Sequence, residues 1–327
     1  MTGRRGLLAA AFAAPAILRP RGARAQGAGG FPDRPLRVVI PFGAGGPTDV
    51  VGRLIADPVA AALGQPMVIE NRAGAGGNIG TREVARAAPD GHTLSLNGAS
   101  PLVINQHLYR DMGYDPLTAL APVSRLTTGP LLVIANPRAP FSTMGELVAH
   151  ARRHPGAVNY ATAGNGTVPH LATELFLRAA GIALTNVTYR ATPQATGSVL
   201  SGETALFFDS PASITHVRSG AAKALAVTTP RRFAPFPEIP TVAESGGPEV
   251  AVEAWYGLLA PAGTPPERIA RLRDAFAAAI RRPEVTARLA TLGFEAVGDR
   301  PEEFAATIRA EAARWGEVIR AAEVRIE

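Results

Sequence analysis

Two glycine-rich stretches, Pro41-Phe42-Gly43-Ala44-Gly45-Gly46-Pro47-Thr48-Asp49 and Asn71-Arg72-Ala73-Gly74-Ala75-Gly76-Gly77-Asn78-Ile79-Gly80, each stand between a strand pattern and a helical pattern. The strand patterns run from Leu36 to Ile40 and from Pro66 to Glu70. Glycine lets the backbone turn sharply and bare its N–H groups, with no side chain to block a ligand. A helix N-terminus just beyond adds unpaired donors and the positive end of a dipole. Two such loops on neighbouring strands make an anion cradle that needs no arginine. This points to capture of small carboxylates.

Behind a Gly-rich tether from Gln26 to Gly30, strand and helix patterns alternate along the chain. Strand-like runs lie near Val38, Val68, Leu94, Leu132, Val158, Val187, Leu206 and Leu225. Helical stretches between most of them include Asp49 to Leu63, Ile79 to Ala87, Thr143 to His154 and Val168 to Ala179. Thr143-Met144-Gly145-Glu146 has capping-box spacing. Such alternation predicts parallel α/β sheets with helices on both faces.

A chain of 327 residues is long enough for two domains, each with a core of its own. Tyr114 to Pro140, proline-rich with an extended apolar centre from Leu131 to Ala135, reads as the crossover into a second domain. Glu253 to Pro261 reads as the return crossing, with helical patterns after it at Pro266 to Arg281 and Pro301 to Val324. Residues 31–126 plus 251–327 would then form domain 1, and residues 127–250 domain 2. Two crossings make a hinge, and the strand C-termini of both domains face a common cleft, where open α/β sheets bind ligands.

Composition excludes several classes. A hydrophobic fraction of 46% with 18% charged residues describes a globular chain, not a disordered one. The net charge of +6 suggests a polyanion partner, but Arg4, Arg5, Arg19, Arg21 and Arg24 account for five of those charges, and residues 1–25 contain no acid. The rest is nearly neutral, so no nucleic-acid partner is expected. That N-terminal segment has a basic start, an apolar stretch from Leu7 to Leu18 and Ala23-Arg24-Ala25 before Gln26, which predicts a signal peptide over residues 1–25 and a periplasmic protein exported by a Sec or twin-arginine route. An uncleaved amphipathic anchor is the competing reading. The absence of cysteine removes disulfides, thiol catalysis and thiolate metal sites.

The loops do not match better-known fingerprints. A Walker loop needs a lysine, and the chain's single lysine is Lys223. Gly74 to Gly80 has one residue too many for a dinucleotide fingerprint, and the next strand ends at Asn97 without an acid. An ordinary structural turn stays open for either loop alone. A third candidate cradle, Ala163-Gly164-Asn165-Gly166-Thr167, precedes the helix carrying His170; Thr167 there offers a hydroxyl donor, and a plain connection is the alternative. His170 is either a cleft hydrogen bonder or a packing residue. His150 and His154 lie four apart, but without a glutamate between them they read as a basic helix face. Of the acids near these loops, Asp49 reads as the cap of the first helix and Asp209 follows a later strand. Gly98-Ala99-Ser100 is no nucleophile elbow, because residue 102 is leucine. No carboxylate pair, metal cluster or Ser–His–Asp set declares itself, so no enzyme activity, cofactor or metal is expected, with an enzyme that uses the same loops for a phosphate or cofactor as the alternative.

The set of motifs resembles the substrate-binding proteins of tripartite tricarboxylate transporters, the Bug or TctC-type family. The loops at 41–49 and 71–80 carry the resemblance with Tyr114-Asp115-Pro116, Gly164-Asn165-Gly166-Thr167, Ala224-Leu225-Ala226-Val227-Thr228, Ile239-Pro240-Thr241 and Trp255-Tyr256-Gly257. It implies a type II periplasmic binding protein fold, with two α/β domains closing on one small carboxylate-bearing ligand. Carried over by motif, first-domain contacts fall on Phe42, Ala44, Thr48, Asp49, Ala75 and Gly76, with Gly45 in the same loop and Ser100 after the third strand. Those of the second domain fall on Ala163, Asn165, Thr167 and Asp209. The implied partners are integral-membrane permease subunits or a sensor kinase, and the chain is expected to be a monomer. Gly43 stands where the family often has proline. Tyr189-Arg190-Ala191 replaces its Tyr-Lys-Gly.

Overall fold

The computed structural model describes residues 30–322. The signal peptide expected over residues 1–25 lies outside them, as does the tether up to residue 29. Strands β1 (Leu36–Ile40), β2 (Met67–Asn71), β3 (Thr93–Gly98) and β4 (Leu120–Pro130) begin the first domain, and β5 (Leu132–Ala135), β6 (Asn159–Thr162), β7 (Thr185–Thr188), β8 (Leu206–Asp209) and β9 (Lys223–Val227) build the second. The chain then returns through β10 (Glu253–Pro261) and adds β11 (Glu295–Ala296). The first sheet has the order β11-β4-β10-β3-β1-β2 and the second the order β7-β6-β8-β5-β9. These are the two α/β domains of a type II periplasmic binding protein, with a cleft between them.

Helices follow the strands as the patterns require. α1 (Pro47–Leu63) opens on proline, which loses no helical hydrogen bond at that position, and ends on Gly64 in the left-handed conformation (φ 72°). Its buried Val51, Ile55, Val59 and Leu63 recur every four residues and form a stripe within the first-domain core, where α1 packs against α7, β2 and β3. α2 (Asn78–Ala85) follows β2. At α3 (Met144–Arg153) Thr143 Oγ1 accepts the Glu146 N–H at 3.1 Å, but the Glu146 carboxylate reaches back to the Ser142 N–H at 2.6 Å, one residue before the position a capping box uses. α4 (Val168–Ala180), α5 (Thr192–Ser201) and α6 (Ile214–Arg218) complete the second domain, and α7 (Pro266–Ile280), α8 (Pro283–Thr291) and α9 (Pro301–Ala322) complete the first.

Two expectations need correction. The sheets are mixed rather than parallel: β10 runs antiparallel to β3 and β4, and β5 runs antiparallel to β8 and β9. A chain that leaves a domain and comes back through it must lay its exit and return strands in opposite directions. The stretch 114–140 is also not simply a connector, because residues 120–130 are a full strand of the first sheet. The passage between the sheets is confined to Leu131, between the end of β4 and the start of β5.

Each domain has a core of its own, built on Val38, Ile55 and Phe276 in the first and on Ile134, Phe207 and Phe236 in the second. A third apolar cluster crosses the boundary, joining Phe304, Ile308 and Trp315 of α9 to Phe176 and Leu177 of α4. The Trp255 and Phe304 rings meet edge to face at 5.3 Å within it.

Buried Thr228 ties the two crossings together. Its hydroxyl accepts the Leu131 N–H at 2.8 Å and donates to the Val252 carbonyl at 2.6 Å. Its own N–H bonds the Leu131 carbonyl at 3.0 Å, and its carbonyl accepts the Val252 N–H at 2.9 Å. Thr228→Val keeps the shape but strands a buried donor and acceptor, each costing about 1–3 kcal/mol. Urea unfolding is expected to show a loss of about 2–4 kcal/mol with an unchanged m-value. A loss below the error of the extrapolation would show that the hinge does not depend on this hydroxyl.

Candidate functional site

The strand ends of both domains open onto one cavity of about 510 Å³, within the range typical of small-molecule sites. Phe42, Thr48, Ala75, Gly76 and Ser100 line it from the first domain, and Ala163, Asn165 and Thr167 from the second. Ala44, Gly45, Asp49 and Asp209 do not reach the cavity wall.

The loop after β2 is the more unusual one. Gly74, Ala75, Gly76 and Gly77 have successive positive φ values of 136°, 47°, 62° and 95°. For Ala75 this conformation costs about 1–2 kcal/mol, so the surroundings must hold it. Asn105 Nδ2 does so from behind, donating to the Gly76 carbonyl at 3.0 Å and to Asn78 Oδ1 at 2.7 Å. The Tyr114 hydroxyl lies 3.1 Å from Asn78 Oδ1 and donates to the Pro101 carbonyl at 2.7 Å. A Cβ on Gly76 would stand 3.0 Å from the Tyr109 hydroxyl and 3.1 Å from Asn105 Nδ2, so the position needs glycine for space as well as for φ. Among the described residues, the Ala75 and Gly76 N–H groups have no acceptor.

The loop after β1 delivers the start of α1 beside them. The first helical bond there is from the Val50 N–H to the Gly46 carbonyl, at 3.0 Å. The Thr48 and Asp49 N–H groups are orphans of the first turn, with no acceptor among the described residues. Asp49 does not cap the helix, since Gly46 occupies that position. Its Oδ2 instead accepts the Gly45 N–H and Arg53 Nε, both at 2.9 Å. The Gly45 amide is therefore taken by its own loop, which corrects its assignment as a ligand donor. Burial works to raise the Asp49 carboxyl, but the bonds from Arg53 and Gly45 outweigh it and hold the group below its ordinary value. Arg53 Nη2 then reaches Asn71 Oδ1 at 3.1 Å, and Asn71 Nδ2 donates to the Phe42 carbonyl at 3.1 Å. This chain of contacts fastens one glycine loop to the other.

The second-domain loop is braced similarly. His170 Nδ1 accepts the Gly166 N–H at 3.1 Å, which makes His170 a loop brace. The Thr167 hydroxyl donates to the Gly164 carbonyl at 2.7 Å, so it presents lone pairs to the cavity and not the expected donor. Asn165 Oδ1 accepts from Asn186 Nδ2 at 3.1 Å and from the Thr188 hydroxyl at 3.0 Å. Asp209 is fully buried behind the wall, accepting the Thr196 hydroxyl and the Ser210 N–H, both at 2.6 Å, and the Ser213 hydroxyl. Burial pushes its carboxyl up to about 6. It organises the end of β8 and leaves Ser210 at the cavity surface.

Tyr109, Tyr189, Arg190, Trp255 and Tyr256 also line the wall, and no sequence motif assigns them to it. Trp255 and Tyr256 stand in the return crossing and in the family motif, neither of which assigns them to the cavity wall. The domains meet over the cavity: a Cβ on Gly43 would lie 3.1 Å from the Ala191 Cβ, and one on Gly45 would lie 3.5 Å from Pro193. No group of three or more His, Cys, Asp or Glu side chains among the described residues is placed to hold a metal ion.

Burial lowers the imidazole pKa of His170, against a smaller raising effect from Glu174. Below the ordinary histidine range the unfolded chain takes up a proton that the folded cleft resists, so this residue's contribution to stability falls as pH falls. Urea unfolding at pH 7 and pH 5 is expected to show a smaller acid loss for His170→Gln than for the natural protein. Equal losses would mean that His170 is protonated as readily folded as unfolded.

Comparison with known proteins agrees with this architecture. The family model described as "Tripartite tricarboxylate transporter family receptor" matches residues 51–324. Protein BugT of Bordetella pertussis is 37% identical over 292 residues, covering 89% of this chain and 90% of that one. The structure of R. palustris Rpa4515 with adipate superposes with a TM-score of 0.87 at 34% identity, covering 90% of this chain and 99% of that one. MatC (Rpa3494) from Rhodopseudomonas palustris with bound malate gives a TM-score of 0.83 at 35% identity, covering 88% of this chain and 100% of that one. On the extent of the match and the shared two-domain fold, this chain belongs to the tripartite tricarboxylate transporter receptor family, a family of periplasmic solute-binding receptors and not of enzymes.

Proposed function

We propose that the protein is an exported receptor that captures a small carboxylate-bearing metabolite by closing its two domains, for uptake through a tripartite tricarboxylate-type permease. The observation that carries this reading is the convergence of two glycine loops on one cavity, where Thr48, Ala75 and Gly76 line the wall with N–H groups that have no acceptor among the described residues. Among the described residues, no carboxylate side chain lines that cavity to compete for them. Relatives of the same fold have been solved with adipate and with malate, which supports the same ligand class here.

The magnitudes suffice. A hydrogen bond to a charged group contributes about 1.5–3 kcal/mol, so three or four support micromolar capture, about −8 kcal/mol, after ordering costs. The ligand binds first to the preformed cradle, and the second domain then swings about the crossings at Leu131 and Val252. Closure exposes a combined face of both domains that a membrane permease recognises. Export to the periplasm follows from the N-terminal basic–apolar–small pattern and agrees with such a partner.

Isothermal calorimetry against dicarboxylates, aromatic carboxylates and amino acids is expected to give one-site binding without turnover for at least one carboxylate. Flat traces across the panel would overturn the receptor reading. Gly43→Leu places a side chain where Ala191 closes, and it is expected to weaken that binding at least about tenfold, equivalent to about 1.4 kcal/mol, with the unfolding transition retained. Unchanged affinity would show that binding does not require the two domains to meet there.

A further inference from the structure

The cavity wall carries one formally charged side chain, Arg190, and it comes from the second domain. Arg190 follows β7 and immediately precedes Ala191 and Thr192, the residues that approach Gly43 and Gly46 of the first-domain cradle. Its backbone N–H is anchored by Gln194 Oε1 at 3.2 Å, which holds this corner against the start of α5. Among the described residues its guanidinium makes no hydrogen bond or ion pair. Arginines placed for structure in this protein do have partners: Arg53 is bound to Asp49, Arg125 to Asp299, and Arg37 to Glu70 and Glu83. The acids nearest the cleft are unavailable to Arg190, since Asp49 and Asp209 lie behind the wall with their own donors. Glu203 lines the adjoining groove with Arg190, without an ion pair between them.

We propose that Arg190 receives the second carboxylate of a dicarboxylate whose first carboxylate sits in the first-domain amide cradle. This rests on the receptor reading above and narrows its ligand class. A single carboxylate finds its donors in the main chain of the first domain. A second one, enclosed by closure, needs either water or a counter-charge, because burying an unpaired anion is costly. The guanidinium supplies that charge in a form suited to bidentate carboxylate pairing. It also moves with the closing domain, so the pair forms only when the domains meet and the second carboxylate favours the closed state. A distal ammonium has the opposite fate: no acid lines the cavity to receive it, and Arg190 repels it.

Calorimetry with chain-matched ligands tests this, using adipate, hexanoate and 6-aminohexanoate, then succinate, butyrate and 4-aminobutyrate. The natural protein is expected to prefer the dicarboxylate of at least one series by about tenfold or more over its monocarboxylate, with the amino acid weakest. Added salt is expected to shrink that preference. Arg190→Gln is expected to collapse the ratio towards one, and Arg190→Lys to restore part of it. Arg231→Gln, which removes an exposed charge outside the cleft, is expected to keep the ratio. A natural protein that binds the mono- and dicarboxylate alike, or an Arg190→Gln variant that keeps the preference, overturns the role of Arg190 while leaving the receptor reading intact. A natural protein that binds none of the six but does bind an aromatic carboxylate of the wider panel overturns the dicarboxylate assignment alone, and flat traces with every ligand of both panels overturn the receptor reading as well.

Discussion

A peptide N–H without an acceptor is costly to bury, and a fold that leaves several of them pointing at one cavity has prepared a place for an anion. In this protein the Thr48, Ala75 and Gly76 amides, on residues that line the cavity, have no acceptor among the described residues, and much of the first domain keeps them so. Gly46 and Pro47 start α1 so that its first turn ends at the cavity. Asn105, Asn78 and Tyr114 hold the following loop in a left-handed run that it would not keep alone. Asp49, Arg53 and Asn71 then fasten one loop to the other. Because the donors are main-chain groups on rigid strand ends, they need little reorganisation when a ligand arrives.

In the proposed receptor the second domain contributes motion and discrimination. Its passage from the first sheet takes one residue, Leu131, and its return is tied to the same spot through Thr228. A hinge of that kind lets the sheets turn relative to each other without unpairing long stretches of backbone. The apolar cluster shared by α4 and α9 bears on the same motion, since the two domains already touch there. What the moving domain brings to the cavity is different in kind from the cradle: side chains such as Asn165, Thr167 and Arg190, whose chemistry varies more readily than a backbone turn.

Much of the fold was legible in the sequence. The buried strands Leu36–Ile40 and Leu206–Asp209 read as near-continuous apolar runs, broken only by Arg37 in the first and ended by Asp209 in the second, because both faces are largely covered. α1 was legible as the helical stretch from Asp49 to Leu63, two residues short of its start at Pro47. The shorter α5 and α8 went unread. α5 carries Thr192, Gly197 and Ser201 and is held in place by packing against β6 and β8 more than by helix propensity. Strand direction was also unreadable for β5 and β10, since an apolar run looks the same whichever way its neighbour lies.

At the site, the glycine spacing marked both loops, and the family motif marked eight residues that do line the cavity. Four others fell behind the wall, because adjacency in a motif does not decide which side of a turn a residue faces. The sequence alone determined where the chain turns sharply and where bare amides follow a strand, since both are properties of a few neighbouring residues. Only the tertiary structure decided which donors stay free: Gly45 gives its amide to Asp49, Gly166 gives its own to His170, and Arg190 ends beside the cradle without a partner. A hydrogen bond needs two groups, and the folded chain determines whether the second one is there.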